Sequence, residues 1–168
     1  MTQLGHGPPA PAHITTPSDR EIRIERIFRA PRDRVWQALT DPAQVSQWWS
    51  PNGSRLEIAQ MDVRRGGHWR FVEHGAKGPD GYGGRYREVT PPTRLVYSFE
   101  WDGMPGHVAI ETLTLDDLGD AGTRLTTVIL CHTPEERDGM LHAGMTGAFN
   151  KQYAAMDRVL TTLGATAT

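Results

Sequence analysis

The chain of 168 residues has one cysteine, no excess of basic residues and no long apolar run. Cys131 alone cannot close an internal disulfide, which argues against a small disulfide-stabilised secreted domain. The formal net charge of −2 leaves no surplus of cations for phosphates, so we expect neither nucleic acid nor an anionic membrane as a partner. No segment approaches the roughly 20 apolar residues of a membrane span. We therefore expect a cytoplasmic protein that acts through a pocket.

Tryptophan and the turn-forming residues are plentiful by contrast, with 5 Trp, 18 Gly and 12 Pro. Tryptophan brings a large apolar surface, and glycine and proline favour turns. This combination favours a curved β-sheet over a helical bundle.

Proline is concentrated near the N-terminus, where four of the 12 lie within the first 17 residues. The same stretch has only Leu4 and Ile14 as large aliphatic residues, and it lacks the basic start and apolar run of a signal peptide. We expect residues 1–18 to be a disordered tail, residues 19–164 to form one domain, and residues 165–168 to form a short C-terminal tail.

Hydrophobic periodicity within the domain predicts an α+β fold. Residues 21–30 alternate as a strand, with a bulge where the alternation is lost at Ile27 and Phe28. Two short helices follow, beginning near Pro31 and at Asp41-Pro42. Evenly spaced turn signals then predict an antiparallel meander of six strands. Those six strands are expected at residues 55–62, 67–74, 82–90, 94–102, 107–116 and 123–132.

A long C-terminal helix is predicted from Thr133-Pro134 to just before Gly164. Its apolar residues form one stripe facing the sheet: Leu141, Met145, Phe149, Tyr153, Met156, Leu160 and Leu163. Gly139, Gly144 and Gly147 interrupt the first half, which indicates close packing, a break in the helix or a mobile entrance.

Period-two alternation predicts that one face of the sheet is aromatic. Trp69 and Phe71 share a face with Glu73, Tyr86 shares one with Glu88, Leu113 and Leu115 share one with Glu111, and Tyr97, Phe99 and Trp101 share another. Such a sheet around one helix can leave a ligand cavity. The alternative is that these side chains fill the core completely, and the sequence favours neither outcome over the other.

The order of motifs resembles the START-like SRPBCC superfamily, and within it the branch named after the activator of the heat-shock-protein-90 ATPase. The similarity rests on the segments R-I-F-R-A-P-R-D-R-V-W-Q-A-L-T-D-P, D-V-R-R-G-G-H-W-R-F-V, Y-R-E-V-T-P-P-T-R-L-V-Y-S-F-E-W and E-E-R-D-G-M-L-H-A-G-M. The resemblance implies a helix-grip fold of about seven strands wrapped around the C-terminal helix. It also implies an apolar small-molecule ligand, as in many relatives, while others are polyketide cyclases or dehydratases and the eponymous eukaryotic domain binds a chaperone.

The sequence offers only weak catalytic candidates. Glu73 and Glu88 are placed by alternation on the aromatic face, where a desolvated carboxyl group could transfer protons. Cys131 and His132 are neighbours on a strand and point to opposite faces, so they cannot act as a nucleophile and its base. His68 and His74 are too far apart along a strand to bind one metal unaided. We expect no metal and no cofactor.

The sequence therefore predicts the binding of an apolar, aromatic or polycyclic molecule between the sheet and the C-terminal helix. The residues expected to line the site are Trp49, Trp69, Phe71, Tyr86, Tyr97, Phe99, Trp101, Met145, Phe149 and Tyr153. A cyclase or dehydratase that uses a pocket carboxylate is one alternative. A chaperone-associated binding module is another, disfavoured because the eukaryotic relatives carry an additional domain that this length cannot hold. A homodimer is compatible with the sequence.

Overall fold

A computed structural model of the protein describes residues 10–165, which form an eight-stranded sheet and four α-helices. The strands are β1 His13–Thr15, β2 Glu21–Phe28, β3 Arg55–Met61, β4 His68–Gly75, β5 Gly78–Thr90, β6 Arg94–Trp101, β7 Ala109–Asp117 and β8 Thr123–Leu130. The helices are α1 Arg32–Thr40, α2 Pro42–Trp48, α3 Pro134–His142 and α4 Met145–Ala165, with a short 3-10 turn at Gly119–Ala121. None of these helices is both long and apolar enough to cross a membrane.

All strand pairs are antiparallel, in the spatial order β1-β2-β8-β7-β6-β5-β4-β3. Strands β3 to β8 form a meander of consecutive neighbours, and β2 pairs with the last of them. Two short helices follow β2, and α4 packs on the inner side with Tyr153 edge-to-face on Phe28, at 5.5 Å between ring centroids. The α+β helix-grip prediction is confirmed, with one strand more than expected.

The additional strand is β1, which lies in the segment predicted to be a disordered tail. It pairs with β2. Ile14 is partly buried against the core, and the backbone N–H of Ala12 donates to Oδ1 of Asn150 on α4 at 3.1 Å. An edge strand needs only one partner, so a proline-rich segment with few apolar residues can still be ordered there. The prediction was wrong for this stretch, and residues 1–9 lie outside the described residues.

No bulge interrupts β2, whose register with β8 is continuous. Ile22, Ile24, Arg26 and Phe28 point inward, and Ile27 is 46% exposed. The predicted bulge was therefore wrong: the backbone keeps its alternation, with Arg26 on the inward face and Ile27 on the outward face. The Arg26 guanidinium forms a bidentate ion pair with Asp157 of α4 at 2.9 and 2.5 Å and lies 4.6 Å from the centre of the Phe28 ring.

Strand β5 begins at Gly78, four residues earlier than predicted. The turn that precedes it is formed by Ala76 and Lys77, because Gly75 and Gly78 are paired across the hairpin. Gly78 has a φ of 103°, a conformation that glycine adopts without steric cost. The residues Gly78-Pro79-Asp80-Gly81, which lie between the strands predicted at 67–74 and 82–90, are part of β5.

The predicted C-terminal helix is broken into α3 and α4 at Gly144, which has a φ of +83°. Of the three alternatives for the helix glycines, the structure shows a break at this position. Apolar burial on α4 then continues along one face, formed by Met145, Tyr153, Ala155, Met156, Val159 and Leu160.

Candidate functional site

A cavity of about 310 Å³ lies between the inward face of the sheet and α4. The core is therefore not filled completely by side chains. The mouth lies where exposed lining residues meet, at Asn52 after α2 and Ala148 near the start of α4. The remaining lining comes from α1, α2, strands β3 to β8, α3 and α4, and most of it is apolar.

An aromatic wall of four rings forms one side of the cavity. Trp69 of β4 lies at its centre, with ring centroids 5.0 Å from Phe71, 5.7 Å from Tyr97 and 5.7 Å from Phe99. Trp69 is paired across the sheet with Gly84 of β5, and its indole N–H donates to the carbonyl of Ser98 on β6 at 3.1 Å. A Cβ at position 84 would lie 1.9 Å from that carbonyl oxygen. Glycine thus lets β5 approach β6 beneath the indole ring.

The mouth is held by contacts between the segment after α2, the sheet and α4. Trp49 packs edge-to-face on Phe71 at 5.5 Å and on Tyr82 at 4.9 Å. The Gln152 amide donates to the carbonyl of Trp49 at 2.7 Å. The Ser50 hydroxyl donates to Glu73 at 2.6 Å, so this carboxylate lies at the mouth with a fixed partner.

Glu111 of β7 is the acidic residue at the inner end of the cavity. It is 8% exposed, and the Tyr97 hydroxyl donates to its Oε2 at 2.7 Å. Burial raises the pKa of Glu111 to about 7, although the hydrogen bond from Tyr97 lowers it. The carboxyl group therefore exchanges a proton near neutral pH, which is the property required of a general acid or base.

Tyr86, Tyr97 and Tyr153 line the same cavity as this carboxyl group. Burial is the main cause that raises the pKa of Tyr86, Tyr97 and Tyr153 above the ordinary tyrosine value. The Tyr153 hydroxyl lies 3.5 Å from the hydroxyl of Thr127 on β8. All three phenols therefore stay protonated at ordinary pH and supply neutral hydrogen-bond donors to the cavity.

Nine of the ten residues predicted to line a ligand site border the cavity, and Trp101 does not. Trp101 lies at the end of β6 and is 38% exposed, and its indole N–H donates to Asp80 at 2.5 Å. Alternation predicted the correct face, but the strand extends beyond the end of the cavity. That the nine residues contact a ligand stays a prediction.

The two carboxylates predicted as catalytic candidates are in different places. Glu73 borders the cavity, whereas Glu88 is outside it and bonds to Arg94 at 3.0 Å and Thr90 at 3.2 Å. The register of β5 and β6 shifts between Tyr86 and Glu88, and this bulge breaks the alternation that had placed Glu88 inward. Sequence reasoning missed Glu111 as a candidate, although its alternation with Leu113 and Leu115 already placed it on the inner face.

Within residues 10–165, neither the cysteine nor the clusters of potential metal ligands indicate a catalytic nucleophile or a metal site. Burial raises the pKa of Cys131 to about 11, and its thiol lies 3.5 Å from the Met140 sulfur. In the same part of the chain, no group of three or more His, Cys, Asp or Glu side chains could hold a metal ion. The carboxyl and phenol groups that line the cavity can supply hydrogen bonds and, at Glu111, proton exchange.

The chain matches a known protein family over most of its length. The family described as "Activator of Hsp90 ATPase homolog 1-like protein" matches residues 29–161, which begin just after β2 and extend into α4. The chain belongs to this family. Among curated proteins the comparison finds no match.

Several solved structures share this fold. A Rhodobacter sphaeroides protein is 29% identical with a TM-score of 0.83, and the match covers 90% of this chain and 99% of that one. Protein CV1439 from Chromobacterium violaceum is 25% identical with a TM-score of 0.71, over 85% and 98% of the two chains. DynU16, a protein in the dynemicin biosynthetic locus, is 27% identical with a TM-score of 0.65, over 86% of this chain and 48% of DynU16.

Proposed function

We propose that the protein binds an apolar aromatic or polycyclic small molecule in the cavity between the sheet and α4. The observation that carries the proposal is the cavity of about 310 Å³ with its wall of aromatic rings. That volume is at the lower end of the range for small-molecule pockets, and it suits a ligand of about two or three fused rings. Apolar rings would gain contact with Trp69, Phe71 and Phe99 and lose contact with water.

Two further observations support a small ligand. The mouth is bordered by the exposed residues Asn52 and Ala148, so a molecule can enter without unfolding the sheet. One structural relative, DynU16, is a protein in a biosynthetic locus, a setting in which small molecules are made.

A variant that narrows the mouth tests the proposal. Ala148→Phe places a ring at the border of the cavity, whereas Lys151→Phe places the same ring on an exposed position of α4 outside the lining. We expect calorimetric titration with ethylnaphthalene to show binding to the unchanged protein and to Lys151→Phe. Ala148→Phe should bind about tenfold more weakly or more, a change of about 1.4 kcal/mol.

Native mass spectrometry of the freshly purified protein gives an independent result. A small molecule that stays bound through purification would support the proposal. Absence of such a molecule together with no binding of ethylnaphthalene would refute it. A protein partner in place of a small molecule would favour the chaperone-associated alternative.

An enzyme of the cyclase or dehydratase class is the second candidate, favoured by one observation. Glu111 borders the cavity and exchanges its proton near neutral pH, which suits proton transfer to or from an enolisable substrate. If such a substrate is converted, Glu111→Gln should bind it and fail to convert it. Unchanged turnover by that variant would remove this candidate.

A further inference from the structure

The position of Glu111 is not explained by packing alone. Strand β7 places it on the inward face between Ala109 and Leu113, directly opposite Tyr97 of β6 and Ile129 of β8. A buried carboxyl group costs free energy unless its hydrogen bonds are satisfied. Tyr97 satisfies one oxygen, Oε2, at 2.7 Å.

The other carboxyl oxygen, Oε1, accepts no hydrogen bond from residues 10–165 and is not enclosed by them. The residues that line the cavity include no Lys, Arg or His, so no cation of the lining favours the ionised form. When Glu111 is protonated with its proton on Oε1, the Tyr97 hydroxyl keeps its hydrogen bond to Oε2 and the carboxyl O–H is directed to the cavity side. The inner end of the cavity therefore offers one O–H donor that lacks a protein partner within the described chain.

We propose that Oε1–H of Glu111 donates a hydrogen bond to the carbonyl oxygen of an aromatic ketone or quinone, whose rings contact the aromatic wall. The inference rests on the proposed function and specifies its ligand class. A carbonyl oxygen only accepts hydrogen bonds, so it complements the free donor, while the apolar ring system complements Trp69 and Phe99. Burial supports the assignment by raising the pKa of Glu111 to about 7, so the donor is present in slightly acidic solution.

The carbonyl preference should disappear when Glu111 ionises, because a carboxylate has no proton to donate. The other titratable groups that face it are Tyr97 of β6, Tyr86 of β5, Tyr153 of α4, and Cys131 after β8. Burial raises the pKa of each of these groups, and that of Cys131 to about 11. Nearby Arg26 of β2 is paired with Asp157, and Glu73 is at the mouth with Ser50.

Two probes that differ only at the carbonyl group test the inference. Acetylnaphthalene and ethylnaphthalene are titrated into the purified protein, and quenching of tryptophan fluorescence is followed because Trp49 and Trp69 line the cavity. At about pH 5.5 we expect acetylnaphthalene to bind about tenfold more tightly than ethylnaphthalene. Its carbonyl oxygen accepts one hydrogen bond from Glu111, which ethylnaphthalene cannot do. At about pH 8.5 the two affinities should be equal.

Variants separate Glu111 from other sources of pH dependence. Glu111→Gln keeps a donor of nearly the same shape that does not titrate, so the carbonyl preference should persist at both pH values. Glu111→Leu removes the donor and should bind both probes equally at both pH values, with thermal unfolding confirming that it folds. Glu88→Gln, outside the cavity on β5, should behave like the unchanged protein.

Three outcomes would overturn the inference. Equal binding of the two probes at about pH 5.5 would refute it and leave the binding proposal intact. A pH-dependent preference that survives in Glu111→Gln would assign the effect to another group. Failure of both probes to bind at either pH would refute the inference, and together with the absence of a small molecule in native mass spectrometry it would refute the binding proposal as well.

Discussion

Arg26 and Glu111 are both ionisable residues on the inward face of the sheet, yet they differ in the partner that each has there. They lie on β2 and β7, the two neighbours of β8. Arg26 is 6% exposed and has a fixed opposite charge, because Asp157 of α4 contacts it through both carboxylate oxygens. Glu111 is 8% exposed and has only the neutral hydroxyl of Tyr97.

The difference separates a structural region from a region able to recognise a ligand. Where α4 lies directly on β2, a cation is retained because its counter-ion is supplied by the helix. Where the helix leaves a cavity over β7, no such partner lies within residues 10–165, and the acid holds its proton instead. The inward face of the sheet thus contains one region that is closed by the Arg26–Asp157 ion pair. A second region borders the cavity and contains the titratable carboxyl group of Glu111.

Loss of the ion pair should have the largest effect. Asp157→Ala leaves the Arg26 guanidinium buried without an opposite charge, and we expect the free energy of unfolding to fall by about 3 kcal/mol. Urea unfolding measures the loss. Glu88→Ala is the matched control, because it breaks a pair with Arg94 in which both side chains are nearly half exposed, and it should cost less than about 1 kcal/mol. Equal losses of unfolding free energy in Asp157→Ala and Glu88→Ala would contradict the conclusion that the buried ion pair matters more than the exposed one.

Titration of Glu111 should destabilise the protein as pH rises. The unfolded chain releases this proton near its ordinary pKa of about 4.3, whereas the folded chain holds it until about pH 7. The native state binds more protons between these values, so stability falls across that window, by on the order of 3 kcal/mol. Glu111→Gln should remove this fall, as measured by urea unfolding at a series of pH values. Parallel curves for the variant and the unchanged protein would show that burial does not affect Glu111.

The smallest effect is expected from the hydroxyl that contacts Glu111. Tyr97→Phe removes one hydrogen bond, and we expect a loss of about 1 kcal/mol in the free energy of unfolding. Because that bond lowers the pKa of Glu111, its loss should raise this pKa further and extend the fall in stability to higher pH. Tyr86→Phe is the control, since its ring lies 6.1 Å from that of Tyr97 and its hydroxyl does not contact Glu111. If the pH dependence of stability is the same in Tyr97→Phe as in the unchanged protein, the Tyr97 hydroxyl does not lower the pKa of Glu111.

The element order could be predicted from the sequence because it depends on local signals. Thr133 begins α3 by accepting from the Glu136 N–H, and Asp41 begins α2 by accepting from the Ala43 N–H. Strand β1 could not be predicted, since its order depends on pairing with β2 and on Asn150 of α4. The inward direction of Arg26 could not be predicted either, because its partner is 131 residues away.

The sequence predicted which face of each strand lines the candidate site better than it predicted how far along each strand the site extends. Alternation placed Trp69, Phe71 and Phe99 inward, and all three border the cavity. It failed for Trp101, which lies beyond the end of the cavity, and for Glu88, where a bulge shifts the register. Both failures come from the curvature and length of the sheet, which are collective properties of several strands.

The sequence by itself determined the family, the order of most strands and helices, and the inward face of most strands, because periodicity and turn residues act over a few residues. Tertiary structure decided that the aromatic face leaves a cavity, that Gly144 breaks the final helix, and that Glu111 rather than Glu88 is the enclosed acid. Volume, counter-ions and solvent access depend on residues brought together from distant parts of the chain. For that reason, the pKa of Glu111 was decided by the fold.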